Sequence, residues 1–150
     1  MVSPADTLLR RQHWLRRQKY KSCGPNWDWH VDGHDKPSPW GLCISGVIDG
    51  FSRKIMFLEV GPTNHDPWII STNYLNTIKE IGGCPQIIQT DCGTENLILA
   101  AQQVLFCTQS TDAVEINNHH RYSSSQTNQC IECWWSQLRN YKHLILVIMK

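Results

Sequence analysis

The 150-residue sequence predicts an α/β fold built on a five-stranded mixed sheet. Three observations lead there. Residues 27–60 hold three consecutive stretches of strand character, two of them joined by a turn short enough to demand antiparallel pairing. Residues 66–81 then carry a helical period, and the apolar stretch that follows, "QIIQTD" at 86–91, is reached only through that helix, which is a crossover geometry. Helix and strand patterns alternate again to residue 140. The order βββ-α-β-α-β-α describes a three-stranded antiparallel meander extended by parallel strands and flanked by helices.

Taken in chain order, Ser3 and Pro4 suit the N-cap and first position of a basic helix over about 4–20, which "SCGPN" ends. "WDWHVDGH" (27–34) alternates strictly, with Trp27, Trp29 and Val31 on one face and Asp28, His30 and Asp32 on the other. "GLCISGVIDG" (41–50) and "RKIMFLEV" (53–60) share the turn "DGFS" and read as a hairpin. Asp66 and Pro67 open a helix in which Ile70, Tyr74, Ile78 and Ile81 recur at helical spacing, and Gly82-Gly83 stops it. Ile87 and Ile88 mark a short buried strand that runs into Asp91 and a turn at Gly93. A helix over 95–106 and a fifth strand, "AVEINN" (113–118), come next. The polar loop "HHRYSSSQTNQ" leads into a last helix. There Ile131, Trp134, Trp135 and Leu138 form an apolar stripe, and Asn128, Glu132, Ser136 and Arg139 share the polar shoulder beside it.

Composition bounds what such a domain does. With 41% hydrophobic and 18% charged residues it is an ordinary globular chain, and the apolar run "LILVIM" at 144–149 is far too short to span a bilayer. Seven cysteines without a secretory signal read as reduced thiols of an intracellular protein. Cys130 and Cys133 form a C-x-x-C, but a second pair at ligand spacing is missing. A zinc site completed by His119 and His120 does not close if both cysteines are helical. The net charge of +1 hides an asymmetry: residues 1–21 hold six Lys/Arg and one acid, and the remainder eight bases and twelve acids. A basic arm containing Arg10, Arg11, Arg16 and Arg17 fits a nucleic-acid contact, and fits a solvated basic helix equally well.

A single Glu on a helix is ordinarily a solvated one. The weighing changes when three acids are taken together. Asp32 lies on the first strand, and Asp91 ends the strand that a right-handed crossover can lay beside it. Glu132 comes from a helix able to pack over the same edge. Three carboxylates on rigid elements are what a hard divalent cation such as Mg²⁺ or Mn²⁺ requires.

"WHVDGHDK", "IDGFSRKIMFLEV", "GGCPQIIQTDCGTEN" and "RYSSSQTNQCIECWWSQLRN" together resemble the integrase core domain of retroviral integrases and related transposases, in particular the transposon-derived integrase-core proteins of animal genomes. The likeness runs in unbroken order over about 25–140. It implies a ribonuclease H-like fold and a catalytic Asp-Asp-Glu set at Asp32, Asp91 and Glu132. It also implies DNA nicking and strand transfer with two Mg²⁺ or Mn²⁺ ions, in which a water or a DNA 3′-hydroxyl attacks phosphorus in line. DNA is then the partner, the nucleus the expected location, and self-association is left open. Asn128, Ser136 and Arg139 become candidate phosphate or sugar contacts.

Two positions depart from the pattern: relatives carry Arg immediately after the second Asp and two residues before the Glu, where this chain has Cys92 and Cys130. The His/Cys zinc module that precedes retroviral cores is also not seen. The expected organisation is a basic helical arm (1–24), a catalytic core (25–140) and a short apolar tail (141–150) that reads as a truncated or unrelated end. The departures keep a rival reading in view, a catalytically silent nucleic-acid-binding or interaction module derived from a mobile element.

Overall fold

Asp66 and Gly82 show how closely local sequence sets the frame. The Asp66 carboxylate accepts the Trp68 N–H at 2.9 Å, Pro67 takes the first helical position, and Gly82 closes the helix at φ 76° with its N–H on the Ile78 carbonyl. The computed structural model describes residues 22–35, 41–110, 119–123 and 128–140. Among them the elements are β1 (Asp28–His34), β2 (Cys43–Asp49), β3 (Ile55–Gly61), α1 (Pro67–Ile81), β4 (Ile87–Thr90), α2 (Leu97–Ser110), β5 (His120–Tyr122) and α3 (Gln129–Asn140). A 3₁₀ turn, Thr94–Asn96, runs directly into α2. The strands form one sheet in the order β3-β2-β1-β4-β5. β1 pairs antiparallel with β2 and β2 with β3, whereas β4 lies parallel to β1 and β5 parallel to β4.

The period-2 alternation of β1 divides two cores. Trp29 and Val31 bury with Val47 and Ile88 against Ile70, Tyr74 and Leu99 from α1 and α2. Asp28, His30 and Asp32 turn to the opposite face, where Ile44 and Ile48 of β2 meet Ile131, Trp135 and Leu138 of α3. The sheet is thus covered on both sides, which is why every residue of β2 is buried. Each large side chain withdrawn from water here contributes about 1.5–3 kcal/mol. Trp27, expected to share the face of Trp29, lies just outside β1 and is exposed.

Chain order and sheet type agree with the expectation, with one correction at the edge. The fifth strand expected at 113–118 falls outside the described residues, and among the described residues β5 lies at 120–122, in a stretch that reads as polar loop. Its sequence, His-Arg-Tyr, has no apolar alternation because an edge strand of three residues buries little. Main-chain bonds hold it: the Ile88 N–H reaches the His119 carbonyl at 2.9 Å and the Ser123 N–H the Thr90 carbonyl at 2.8 Å. The basic helix at 4–20 and the tail at 141–150 also lie outside the described residues.

Candidate active site

Strand register brings the first two acids together. β1 and β4 run parallel with Trp29 level with Ile88 and His30 with Gln89, and the same offset carried two residues on sets Asp32 level with Asp91. Asp91 directly follows β4, at the carboxyl end of the strand, where open α/β sheets present functional groups. Its Oδ1 accepts from Asn96 Nδ2 at 2.7 Å and from the Gly93 N–H at 3.4 Å, so the loop after β4 folds around the carboxylate. Gly93 itself has φ −77° and ψ 146°, a conformation open to any residue. The turn therefore does not need a glycine for its backbone. The Glu95 carboxylate lies in the space a side chain at 93 would enter, and a substitution there would turn that flexible side chain aside. Glu132 stands half-buried in the first turn of α3, the helix that packs on β1 and β2.

The electrostatics tie the three into one region. Burial pushes the Asp32 carboxyl up, the Trp135 indole N–H bonded to Oδ2 at 2.9 Å pulls it back, and the negative charges of Glu132 and Asp91 push it up again. A bond from the Gly33 N–H opposes them, and the net value is about 7. Asp32 thus feels both other acids through space. Among the described residues no three His, Cys, Asp or Glu side chains are gathered closely enough to hold a metal ion. All three are carboxylates, the oxygen donors that a hard divalent cation takes. A cation there would also neutralise the repulsion felt at Asp32.

A set of bonds holds α3 to the sheet. Asn128 donates from Nδ2 to the Val31 carbonyl at 2.9 Å, and its Oδ1 accepts from His30 Nδ1 at 2.6 Å. His30, fully buried, places Nε2 at 3.3 Å from Asp28 Oδ2. Burial pushes this imidazole down, but its bonds to Asp28, Cys130 and Asn128 and the electrostatic effect of Cys130 outweigh that and lift it to about 9, which favours the protonated ring. Trp135 bonds Asp32 and stacks on His34 with ring centroids 5.0 Å apart. Gly46, level with Asp32 on β2, leaves the room: a Cβ there would stand 3.1 Å from the Trp135 ring.

These contacts correct part of the sequence reading. Asn128, expected to reach a phosphate or sugar, is only 1% exposed and ties α3 to β1 instead. Ser136 is exposed and donates to the Glu132 carbonyl. Arg139 lies near the end of α3, its side chain outside the described residues, as are Arg10, Arg11, Arg16 and Arg17. Cys92 is exposed beside Asp91, whereas Cys130 is buried in the cluster with Ile44 and Ile48. His30 and Trp135 were legible only as strand face and apolar stripe. Their polar roles had a signal all the same: buried imidazole and indole N–H groups require partners.

The comparisons with known proteins agree with this architecture. The family model described as integrase core domain matches residues 19–148. Among solved structures 37 chains match significantly. One is the HTLV-2 integrase catalytic core domain in complex with magnesium, in a trimeric form. It superposes with a TM-score of 0.57 at 20% identity, over 85% of this chain and 76% of that one. No curated protein matches significantly.

Proposed function

Because the chain belongs to the integrase core domain family, with the ribonuclease H-like mixed sheet of an integrase catalytic core, we propose that it acts on DNA as a divalent-metal-dependent nicking and strand-transfer enzyme. The observation that carries this is the parallel β1–β4 register, which sets Asp32 level with Asp91 at one end of the sheet beneath the helix that bears Glu132. Asp32, Asp91 and Glu132 would hold Mg²⁺ or Mn²⁺, in keeping with the magnesium complex of the HTLV-2 core. With such ions held there, the chemistry they would supply is activation of a water or 3′-hydroxyl and stabilisation of the departing oxygen. The chain's own part is orientation. β1 and β4 set two carboxylates side by side, Asn96 and Gly93 fix the rotamer of one, Trp135 fixes the other, and the Asn128–His30 link seats the turn bearing Glu132. Such preorganisation is what phosphoryl transfer asks of a protein.

DNA is the proposed partner, with Ser136, Arg139 and the arm residues Arg10, Arg11, Arg16 and Arg17 as candidate backbone contacts. A nuclear location, descent from a mobile element and self-association belong to the same reading. Among the described residues no helix is long and apolar enough to cross a membrane. The decisive experiment is nicking of supercoiled plasmid with Mg²⁺ or Mn²⁺, wild type beside Glu132→Gln, which removes a ligand charge but keeps the shape. Metal-dependent nicking lost in the variant supports the proposal. DNA binding without nicking by a folded wild type would establish the silent module instead.

A further inference from the structure

A second feature of α3 lies outside the acid site. Cys130 and Cys133 are three residues apart in its first turns and line one cavity of about 510 Å³, together with Ile48, Arg53, Gln129, Trp134 and Gln137. In an α-helix, positions i and i+3 have Cα atoms roughly 5 Å apart from rise and radius. That lies inside the roughly 4.4–6.8 Å Cα range of disulfides. The Cβ atoms of such a pair stand roughly 5–6 Å apart in a regular helix against the roughly 3.5–4.5 Å of a bridge, so closure requires the first turn of α3 to tighten. Both sulfurs already accept N–H donors from other residues. Arg53 Nη1 donates to Cys130 Sγ, and Gln137 Nε2 approaches Cys133 Sγ at 3.8 Å. Arg53 reaches in from the β2–β3 turn, where its backbone sits at φ 64° and its N–H bonds the Asp49 carbonyl at 3.0 Å. Cys133 is exposed, whereas Cys130 is buried at the cavity wall, an arrangement of one accessible thiol and one sheltered partner.

We propose that Cys130 and Cys133 form a two-thiol modification site that oxidants of the peroxide class close to a disulfide. Cys133 meets the oxidant first: its sulfur takes one oxygen from the peroxide O–O bond, giving a sulfenic acid and one water. Cys130 sulfur then attacks the Cys133 sulfur, the S–O bond breaks, and the oxygen leaves as a second water carrying the Cys130 proton. In sum two thiols and one hydrogen peroxide give one disulfide and two waters. Glu132 lies between the two cysteines, so closure marks the turn that presents it and draws Cys130 sulfur away from Arg53.

The sequence makes the test direct. Trypsin cuts after Arg121 and Arg139, and the peptide between them holds Cys130 and Cys133 and no other cysteine. The full reduced chain is exposed to hydrogen peroxide, quenched, alkylated and digested. The expected product is this peptide lighter by two hydrogens and closed to alkylation, restored by dithiothreitol. In Cys130→Ala, dimedone should label Cys133 at a several-fold higher yield than in wild type, and Cys133→Ser should lose the closed peptide entirely. Circular dichroism confirms that each variant is folded, and the exposed Cys133→Ser keeps the test alive should Cys130→Ala fail to fold. A peptide that stays a dithiol while the exposed Cys23 and Cys92 oxidise would overturn the proposal, as would Cys133 bridged only to another chain. The readout is chemical and needs no nicking, so its outcome stands apart from that of the metal-dependent reading.

Discussion

Asp32 and His30, two residues apart on one strand face, hold opposite charges that the fold treats differently. The Asp32 carboxyl rises from 3.8 to about 7 on folding, so its favourable contribution is complete below pH 3.8 and is lost as pH rises through 7. Asp32→Asn keeps an acceptor for Trp135 and removes that loss. It should stabilise the fold at pH 8 by roughly 1–3 kcal/mol in urea melts while abolishing metal-dependent activity. Equal stability of the two proteins at pH 8 would mean that Asp32 is not confined as described. His30 rises from 6.5 to about 9, so what it adds is complete below pH 6.5 and disappears as pH climbs through 9. The unfolding free energy of the wild type should fall across pH 6.5–9 by up to about 3 kcal/mol, and His30→Gln should flatten that slope. Charge placement of this kind was only half legible. Alternation put Asp28, His30 and Asp32 on one face, but nothing in the spacing said that α3 would bury them.

At the scale of elements, α3 is both lid of the second core and carrier of Glu132. Asn128→Ala leaves a buried imidazole N–H and the Val31 carbonyl without their partner, and should cost roughly 1–3 kcal/mol of stability. An unchanged urea midpoint would show that the link is dispensable. Gly46→Val asks for space that Trp135 and Leu58 already fill, and overpacking of that kind costs about 1–3 kcal/mol. Tryptophan fluorescence should report the displaced ring, and nicking should fall with it; a variant with native fluorescence and stability would refute the close approach. The elements themselves were largely readable where local chemistry decides them. Asp66, Pro67 and Gly82 bounded α1, and the stripe of Ile131, Trp135 and Leu138 declared the buried side of α3. β5 was not readable, since an edge strand held by main-chain bonds leaves no side-chain pattern. Asn128 was misplaced for a related reason: a helical wheel shows which shoulder a residue occupies but not whether another strand closes over it.

For the whole molecule, a sheet covered on both faces fixes β1 at the centre with β4 beside it, and that order alone carries two of the three acids to one end. The third arrives by packing. The family match and the superposition show an integrase-core fold, and the proposed acid site rests on the β1–β4 register and on the field of Asp91 and Glu132 at Asp32. The central claim is that these three carboxylates bind a divalent cation together. Calorimetric titration of Mn²⁺ at pH 7 tests it most directly, in buffers of different ionisation enthalpy. The wild type should bind saturably and release part of a proton, because burial and the neighbouring acids raise the Asp32 carboxyl and a bound cation would lower it again; Asp91→Asn and Glu132→Gln should each lose most of the binding. Binding of equal strength in all three proteins, or none in a folded wild type at millimolar Mn²⁺, would contradict the account.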